Sequence, residues 1–351
     1  MPTAPLPPVA SLEAVRTLAH DLPGPDTAAH AAAVAREPTL TKPAGSLGRL
    51  EPVAAWLAAW QGRHPARVER VRCVVFAGNH GVAGRGVSAF PPEVTVQMVA
   101  NFEAGGAAIN QLCRAHGADL QVVPLALDRP TVPFDTDAAM TEAEVVAALN
   151  AGLTLDLSDT DLLIVGEMGI GNTTAAAALA LALFGGTAGD WVGRGTGLDD
   201  AGLARKRSVV EAAHRHHGFT LSDPLEALRR VGGRELAAMA GGVLAARHAR
   251  VPVLLDGFIC CASAAVWQAM TPGGLDHALA GHVSQEPGHR RLLAAMHKDP
   301  LLDLGMRLGE GSGAAVALGV VRDAAACHAG MATFADAGVS GAGDGTRDAA
   351  S

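Results

Sequence analysis

The sequence predicts an α/β protein built on a mostly parallel β-sheet with helices on both faces. Apolar, β-branched runs recur along the chain, and each is followed by Gly or Asp and then by a helical pattern. This alternation is typical of βαβ units and of parallel sheets that are covered on both faces. Hydrophobic residues make up 49% of the 351 residues and charged residues 18%, so the chain can bury a sizeable core.

Six segments are candidates for the strands of this sheet. Four are clear, at 72–81, 120–127, 161–169 and 251–258, and two are weaker, at 276–284 and 190–197. Ala-rich segments between them predict helices, among them 94–116, 173–184, 200–217 and 234–248. Ligands of such sheets bind outside the carboxyl ends of the strands, and the Gly-rich segments of this sequence lie at those ends.

The two ends of the chain have helical patterns without strands. The segments "SLEAVRTLAHDLP" and "RLEPVAAWLAAWQGR" are helical near the start, and 311–336 is helical near the end. We therefore predict a large α/β domain over 66–310 and a small helical domain formed by 10–65 and 311–338. The Gly- and Ser-rich residues 339–351 are predicted to be a disordered tail.

Composition argues against several classes of protein. The net charge is −8, and no Lys/Arg block alternates with aromatic residues, which argues against nucleic-acid binding. The five cysteines form no C-x-x-C pair and their number is odd, as expected for reduced thiols in a cytoplasmic protein. We expect no signal peptide and no membrane span, because the long uncharged stretches 168–189 and 257–275 contain polar residues, Gly and Pro.

The stretch "VGEMGIGNTTAAAAL" (165–179) is nearly a P-loop, the loop that wraps nucleotide phosphates. Asn172 stands where a P-loop has its lysine, and Glu167 lies inside the loop. A strand, a Gly-rich turn and a helix start would still offer backbone amides from Gly169 to Thr173 to an anion. A site without lysine favours a monophosphate, whose ribose hydroxyls could donate hydrogen bonds to Glu167. The alternative is that the glycines only form a tight turn.

A second Gly-rich turn, "VGRGTGLDD" (192–200), leads into a helix that carries Arg205, Lys206 and Arg207. One of these cations could approach the phosphate from a separate element. The alternative is a solvated basic helix face, and the sequence does not say which of the three side chains would reach the ligand.

Glu310 lies between glycines at the start of an apolar helix, in "GMRLGEGSGAAVALGVVRDA" (305–324). The neighbouring glycines leave room for a ligand to come close, and a carboxylate there could act as a general base. The helix dipole is expected to keep this carboxylate ionised. The alternative is that Glu310 only stabilises the amino end of the helix.

The segment 76–112 combines Ser88, Phe90 and Gln97 in a loop and helix that suit a flat aromatic ligand. Core packing is the alternative role of Phe90. His282, Glu286 and His289 do not have the spacing of a known metal site, so no metal ion is predicted.

Taken together, these segments resemble one family, the nicotinate-nucleotide:dimethylbenzimidazole phosphoribosyltransferases of cobalamin lower-ligand synthesis. The resemblance extends over roughly residues 40–335 and rests on motifs that occur in the family's order: "KPAGSLGRLE", "NHGVAGRGVSAFPPEVTVQM", "GEMGIGNTTAAAAL", "VGRGTGLDD", "PVLLDGF", "SQEPGH" and "LGMRLGEGSGAA". It implies transfer of the phosphoribosyl group from nicotinate mononucleotide to 5,6-dimethylbenzimidazole, with inversion at the anomeric carbon.

The resemblance also implies roles for particular residues. Glu310 would be the general base, the phosphate site would comprise Gly169, Gly171, Gly195 and Lys206, and the benzimidazole pocket would include Ser88 and Gln97. It implies a Rossmann-like sheet, a homodimer whose cavity receives residues from the neighbouring subunit, and no cofactor. Two alternatives stay open: a phosphoribosyltransferase for another purine-like base, and a non-catalytic nucleotide-binding module.

Overall fold

A computed structural model describes residues 5–340 of the chain. Its sheet has six strands, which we label β1 to β6 in chain order: Val71–Gly78, Ala118–Leu125, Leu162–Met168, Val253–Leu255, Ala278–His282 and Pro300–Leu302. Every neighbouring pair is parallel, in the spatial order β2-β1-β3-β4-β5-β6. The predicted fold class is therefore confirmed. The strand order changes direction between β1 and β3, which is where such sheets bind ligands.

Fifteen α-helices accompany the strands in the described part of the chain. We label them α1 to α15 in chain order: Leu12–His20, Thr27–Arg36, Leu50–Gln61, Glu93–Glu103, Ala108–Ala115, Glu142–Leu153, Asn172–Phe184, Ala188–Trp191, Asp200–His217, Pro224–Val231, Arg234–Ala249, Phe258–Met270, Pro287–Ala295, Ser312–Gly330 and Phe334–Ala337.

Burial explains why the central strands and helices have no polar face. Strands β1, β3 and β4 are buried along nearly their whole length, as expected for strands covered on both sides. Helix α7 is composed mainly of Ala and Leu and is buried on most of its surface, and α11 is buried over nearly its whole length. These elements form one apolar core around the sheet, which fixes the strand ends where the polar site residues lie.

Three predicted elements differ from the structure. The weak strand candidate at 190–197 was wrong, because Ala188–Trp191 is a short helix with a capping box at Thr187. The sixth strand is Pro300–Leu302, whose three partly buried residues give too short a pattern to recognise. The single helix expected over 94–116 is two helices, because the chain turns at Gly105 with a φ of +78°.

The chain groups into two compact units. The first comprises Met1–Pro23 and Arg70–Leu318, and the second comprises Gly24–Glu69 and Gly319–Ser351, so the division falls inside α14. The predicted domains differ from these units in assigning residues 10–23 and 311–318 to the helical part and 66–69 to the large domain. The domain boundaries stay a prediction. Of the predicted tail over 339–351, residues 341–351 lie outside the described residues.

The second unit is held together by its own polar contacts. Lys42 forms ion pairs with Glu37 at 3.0 Å and Glu51 at 2.6 Å, and Glu37 also accepts a hydrogen bond from His328 at 2.6 Å. These contacts connect both sequence segments of the unit.

Among residues 5–340, no helix is both long enough and apolar enough to cross a bilayer.

Candidate active site

A cavity of about 330 Å³ lies at the carboxyl ends of the strands in the first unit. Side chains from three successive strand ends line it: Glu167 from β3, Asp256 directly after β4, and His282 from β5. The Gly-rich turn before α7, the turn around Gly195 and the loop that ends at Glu310 complete the wall. The sheet topology thus brings together segments that are far apart in the sequence.

The turn between β3 and α7, predicted to be an anion site, is a left-handed glycine turn at the start of a buried helix. Gly171 precedes α7 with a φ of +96°, a left-handed conformation that favours glycine. Two of the amides between Gly169 and Thr173 already have partners: Ile170 donates to Thr95 Oγ1 at 3.1 Å, and Asn172 donates to the Gly169 carbonyl at 3.1 Å. Gly169, Asn172 and Thr173 line the cavity, whereas Gly171 does not.

Lys206 is the member of the Arg205–Arg207 cluster that belongs to this region. It is fully buried and donates hydrogen bonds to Thr173 Oγ1 at 2.7 Å and to the Gly193 carbonyl at 3.1 Å, while Arg205 and Arg207 are exposed. Burial lowers the pKa of Lys206 to about 8, and the nearby Glu286 carboxylate opposes this shift. The lysine lies behind Thr173 and Gly195 rather than in the cavity wall.

Asn172, which stands where a P-loop has its lysine, contacts Glu167. The Asn172 side-chain amide donates a hydrogen bond to its carboxylate, so the residue in the lysine position serves the acid in the loop. Burial raises the pKa of Glu167 to about 8, the Asp256 carboxylate raises it further, and the Asn172 hydrogen bond opposes both. At neutral pH the cavity therefore favours a protonated Glu167, which can both donate and accept hydrogen bonds.

Glu310 reaches the same cavity from the turn before α14. It is 5% exposed, its φ is +66°, and its Oε2 accepts a hydrogen bond from the Ile109 amide at 3.4 Å. Burial raises the pKa of Glu310, the Ile109 amide lowers it, and the Asp256 carboxylate raises it. The helix dipole was expected to keep this carboxylate ionised, and that stays a prediction, since burial acts in the opposite direction. A raised pKa brings a general base closer to neutrality.

The apolar side of the cavity is formed by Phe90, Val94, Met98 and Leu308. Phe90 is 50% exposed, so core packing is not its role. The Ser88 hydroxyl accepts a hydrogen bond from the Phe90 amide at 3.2 Å and thus shapes this loop, but Ser88 does not line the cavity. Gln97 is exposed on α4 and does not line it either.

Two charged residues of the wall, Asp256 and Arg307, were not predicted from the sequence. Both could have been noticed: Asp256 ends the strand pattern in "VPVLLDGF", and Arg307 lies three residues before Glu310.

His289, one of the three residues considered as metal ligands, accepts a hydrogen bond from the Ser284 amide at 2.8 Å. No group of three His, Cys, Asp or Glu side chains suited to a metal ion occurs among residues 5–340.

Comparison with known proteins agrees with this geometry. A family model described as "Phosphoribosyltransferase" matches residues 22–339. Proteins from Cereibacter sphaeroides (strain ATCC 17025) and Mesorhizobium japonicum, both named nicotinate-nucleotide–dimethylbenzimidazole phosphoribosyltransferase, are each 60% identical. The matches span 95% of this chain and 98% and 99% of the relatives.

A solved structure shows the same fold. The crystal structure of CobT from Thermus thermophilus superposes with a TM-score of 0.83 at 43% identity, over 90% of this chain and all of that one. The motifs of the cavity, the family model and the close relatives agree, and the chain belongs to the nicotinate-nucleotide–dimethylbenzimidazole phosphoribosyltransferase family.

Proposed function

We propose that this cavity transfers the phosphoribosyl group of nicotinate mononucleotide to 5,6-dimethylbenzimidazole, giving α-ribazole 5′-phosphate and nicotinate. The observation that carries the proposal is the position of Glu310: a buried carboxylate in the same cavity as the lysine-free turn of α7 and an apolar wall. The turn suits a monophosphate, the wall suits a flat aromatic acceptor, and the carboxylate suits a proton acceptor.

The donor half of the reaction makes use of the cavity's negative charge. Besides the protonated Glu167, three carboxylates line it, from Asp256, Glu286 and Glu310. Among residues 5–340, Arg307 is the one Lys or Arg side chain in the cavity wall. As the bond from C1′ to the pyridinium nitrogen breaks, its electron pair goes to the ring and positive charge develops at C1′. Fixed negative groups stabilise that charge. The leaving group becomes a neutral pyridine ring, so its departure needs no acid.

The acceptor half of the reaction needs a base and a defined orientation. One benzimidazole nitrogen forms the new bond to C1′ while the other carries a proton, which would leave a cationic product if it stayed. Glu310 takes that proton as the bond forms. The acceptor lies against Phe90, Val94 and Met98 and attacks from the face opposite the leaving nicotinate, which gives inversion. Alignment of these groups supplies much of the rate.

The function is tested by chromatography of a reaction with nicotinate mononucleotide and dimethylbenzimidazole, with and without a chelator. We expect nicotinate and α-ribazole 5′-phosphate in equal amounts under both conditions. Benzimidazole and adenine, added as competing acceptors, test the alternative that another purine-like base is preferred. Donor binding without nicotinate release would instead indicate a non-catalytic nucleotide-binding module.

Lys206 is predicted to act on donor binding. Lys206→Met keeps the apolar length of the side chain but removes the charge and the hydrogen bond to Thr173 Oγ1. The Michaelis constant for nicotinate mononucleotide should therefore rise by about tenfold with a smaller change in kcat. The reason is that the lysine charge behind the phosphate turn attracts the donor phosphate equally in the ground state and the transition state. In the unmodified enzyme, donor affinity should fall as the pH rises above about 8, where Lys206 loses its proton.

Steady-state kinetics across pH 6–10 measure both effects. Arg207→Met is the matched control, since Arg207 is exposed on the same helix. Equal changes in the two variants, or an unchanged donor constant in Lys206→Met, would contradict the role of Lys206.

We further infer a homodimer whose second subunit covers the mouth of the cavity. Support comes from exposed apolar side chains at or near the wall: Phe90, Val96, Leu304 and Leu308, which are 49–58% exposed. Leu304→Glu should shift the sedimenting species from twice the 35.6 kDa chain mass to the chain mass. Phe219→Glu, at an exposed position outside the cavity wall, should leave the dimer intact. A monomeric unmodified protein would contradict the inference.

We also infer a cytoplasmic location. The described chain contains five free cysteines, four of them buried, which is consistent with a reducing compartment. Fractionation of cells, with detection of the protein in the soluble cytoplasmic fraction, tests this.

A further inference from the structure

Asp256 is the most buried carboxylate of the cavity wall, and its partners are unusual. It is 1% exposed and forms no ion pair with Lys or Arg among residues 5–340. Its Oδ2 accepts a hydrogen bond from the Gly311 amide at 3.2 Å, and its Oδ1 accepts one from the Ala314 amide at 3.0 Å. His282 Nε2 lies 3.3 Å from Oδ1. The cost of burying this charge is thus offset largely by backbone amides at the start of α14.

One of these amides belongs to the peptide bond that joins Glu310 to Gly311. The Glu310 φ of +66° is a conformation that costs energy in any residue with a Cβ, so the surrounding structure must hold it. On one side, the Glu310 carbonyl packs against Gly166 of β3 so closely that a Cβ at residue 166 would lie 2.5 Å from it. On the other side, Asp256 holds the following amide. The turn that carries Glu310 is therefore fixed from two neighbouring strands.

We propose that Asp256, supported by His282, is a positioning residue that fixes the Glu310 turn and so aims the Glu310 carboxylate at the acceptor. This rests on the proposed function, in which Glu310 takes the acceptor's proton. Asp256 acts through its hydrogen bonds to the Gly311 and Ala314 amides and needs no contact with the substrate. His282 Nε2, 3.3 Å from Asp256 Oδ1, limits the movement of this carboxylate from the side of β5.

The charges around Glu310 give this role a measurable signature. Glu167 reaches the cavity from β3, Asp256 from the end of β4, His282 from β5, Glu286 from the residue before α13 and Arg307 from the loop of Glu310 itself. Of these, the Asp256 carboxylate raises the pKa of Glu310. Removing the Asp256 charge should therefore move the pKa of Glu310 downward, whereas a general loss of folding would leave the remaining active molecules with an unchanged pH profile.

The test is a double-mutant cycle in the full-length enzyme with Asp256→Asn and Glu310→Gln. Asp256→Asn should lower kcat about 10²-fold, the order of loss that a misplaced reacting group causes. It should change the donor Michaelis constant little, and it should move the acid limb of the kcat profile to lower pH. In the Glu310→Gln background, Asp256→Asn should cause no further loss, because residues that act as a unit are not additive.

His282→Asn provides a second entry to the cycle if Asp256→Asn folds poorly, since it leaves the Asp256 carboxylate in place. It should lower kcat less than Asp256→Asn, and this loss should also vanish in the Glu310→Gln background. A full additive loss in that background, or an acid limb that does not move in Asp256→Asn, would overturn the positioning role while leaving Glu310 as the base. Normal turnover of Glu310→Gln alone would overturn both the base assignment and the role of Asp256.

Discussion

Replacing Glu310 with Gln should lower kcat by about 10²–10⁴-fold, the usual contribution of a positioned general base. Gln keeps the shape of the side chain and can still accept the Ile109 amide hydrogen bond, but it cannot take the acceptor's proton. The donor Michaelis constant should change little, because the phosphate turn and Lys206 are untouched. Steady-state kinetics with saturating dimethylbenzimidazole measure the loss.

The pH dependence gives the same prediction a second readout. Burial raises the pKa of Glu310 above the ordinary value of 4.5, and the base must be ionised to act. The kcat of the unmodified enzyme should therefore fall as the pH drops through this raised pKa, and the acid limb should disappear in Glu310→Gln.

The sign of the stability change separates this loss from unfolding. A carboxyl group whose pKa is raised by folding contributes stability that is fully present below its unfolded pKa and is lost as the pH rises through the folded pKa. Removing its charge should not lower the melting temperature at neutral pH.

Glu310→Ala should cost at least as much turnover as Glu310→Gln, and Glu167→Ala should chiefly impair use of the donor. Near-normal turnover of Glu310→Gln would mean that Glu310 is not the base.

The parts of the fold that could be predicted are those with a local signal. The long buried strands β1 and β3 and the helices α7, α9 and α11 have hydrophobic runs or caps that identify their ends within three residues. The strand Pro300–Leu302 is too short to give a pattern, and its place in the sheet depends on pairing with β5. The chain also provides no local sign that α1 groups with the α/β unit, because that grouping depends on contacts between distant residues.

The candidate site also has residues that could be predicted from the sequence and residues that could not. Glu167, Asn172 and Glu310 could be predicted because each interrupts a Gly-rich or apolar pattern with a polar group. Asp256 could not be assigned a role, because its partners are amides 55 and 58 residues away. The direction of the Glu310 pKa shift was also out of reach, because a helix start predicts a lowered pKa whereas burial, a property of the tertiary structure, raises it.

Gly166→Ala should lower kcat by about 10²-fold although residue 166 does not line the cavity. The new Cβ would lie 2.5 Å from the Glu310 carbonyl oxygen, 2.7 Å from its carbonyl carbon and 2.8 Å from the Gly311 nitrogen. Strand β3 cannot move away, because it pairs with β1 on one side and β4 on the other. The Glu310 turn must move instead, and the carboxylate moves with it.

The same overlap should cost about 1–3 kcal/mol of unfolding free energy, as overpacking of a core does. Urea denaturation measures this loss of stability, and kinetics on the folded protein measure the loss of kcat.

Gly242→Ala is the matched control: residue 242 is buried in α11, and a Cβ there would meet Leu155 at an ordinary 3.4 Å. That variant should keep full kcat and lose no stability, since Ala favours a helix over Gly by about 1 kcal/mol. Full kcat in Gly166→Ala would mean that the position of the Glu310 turn does not limit the reaction, and the base assignment would then depend on the result for Glu310→Gln alone.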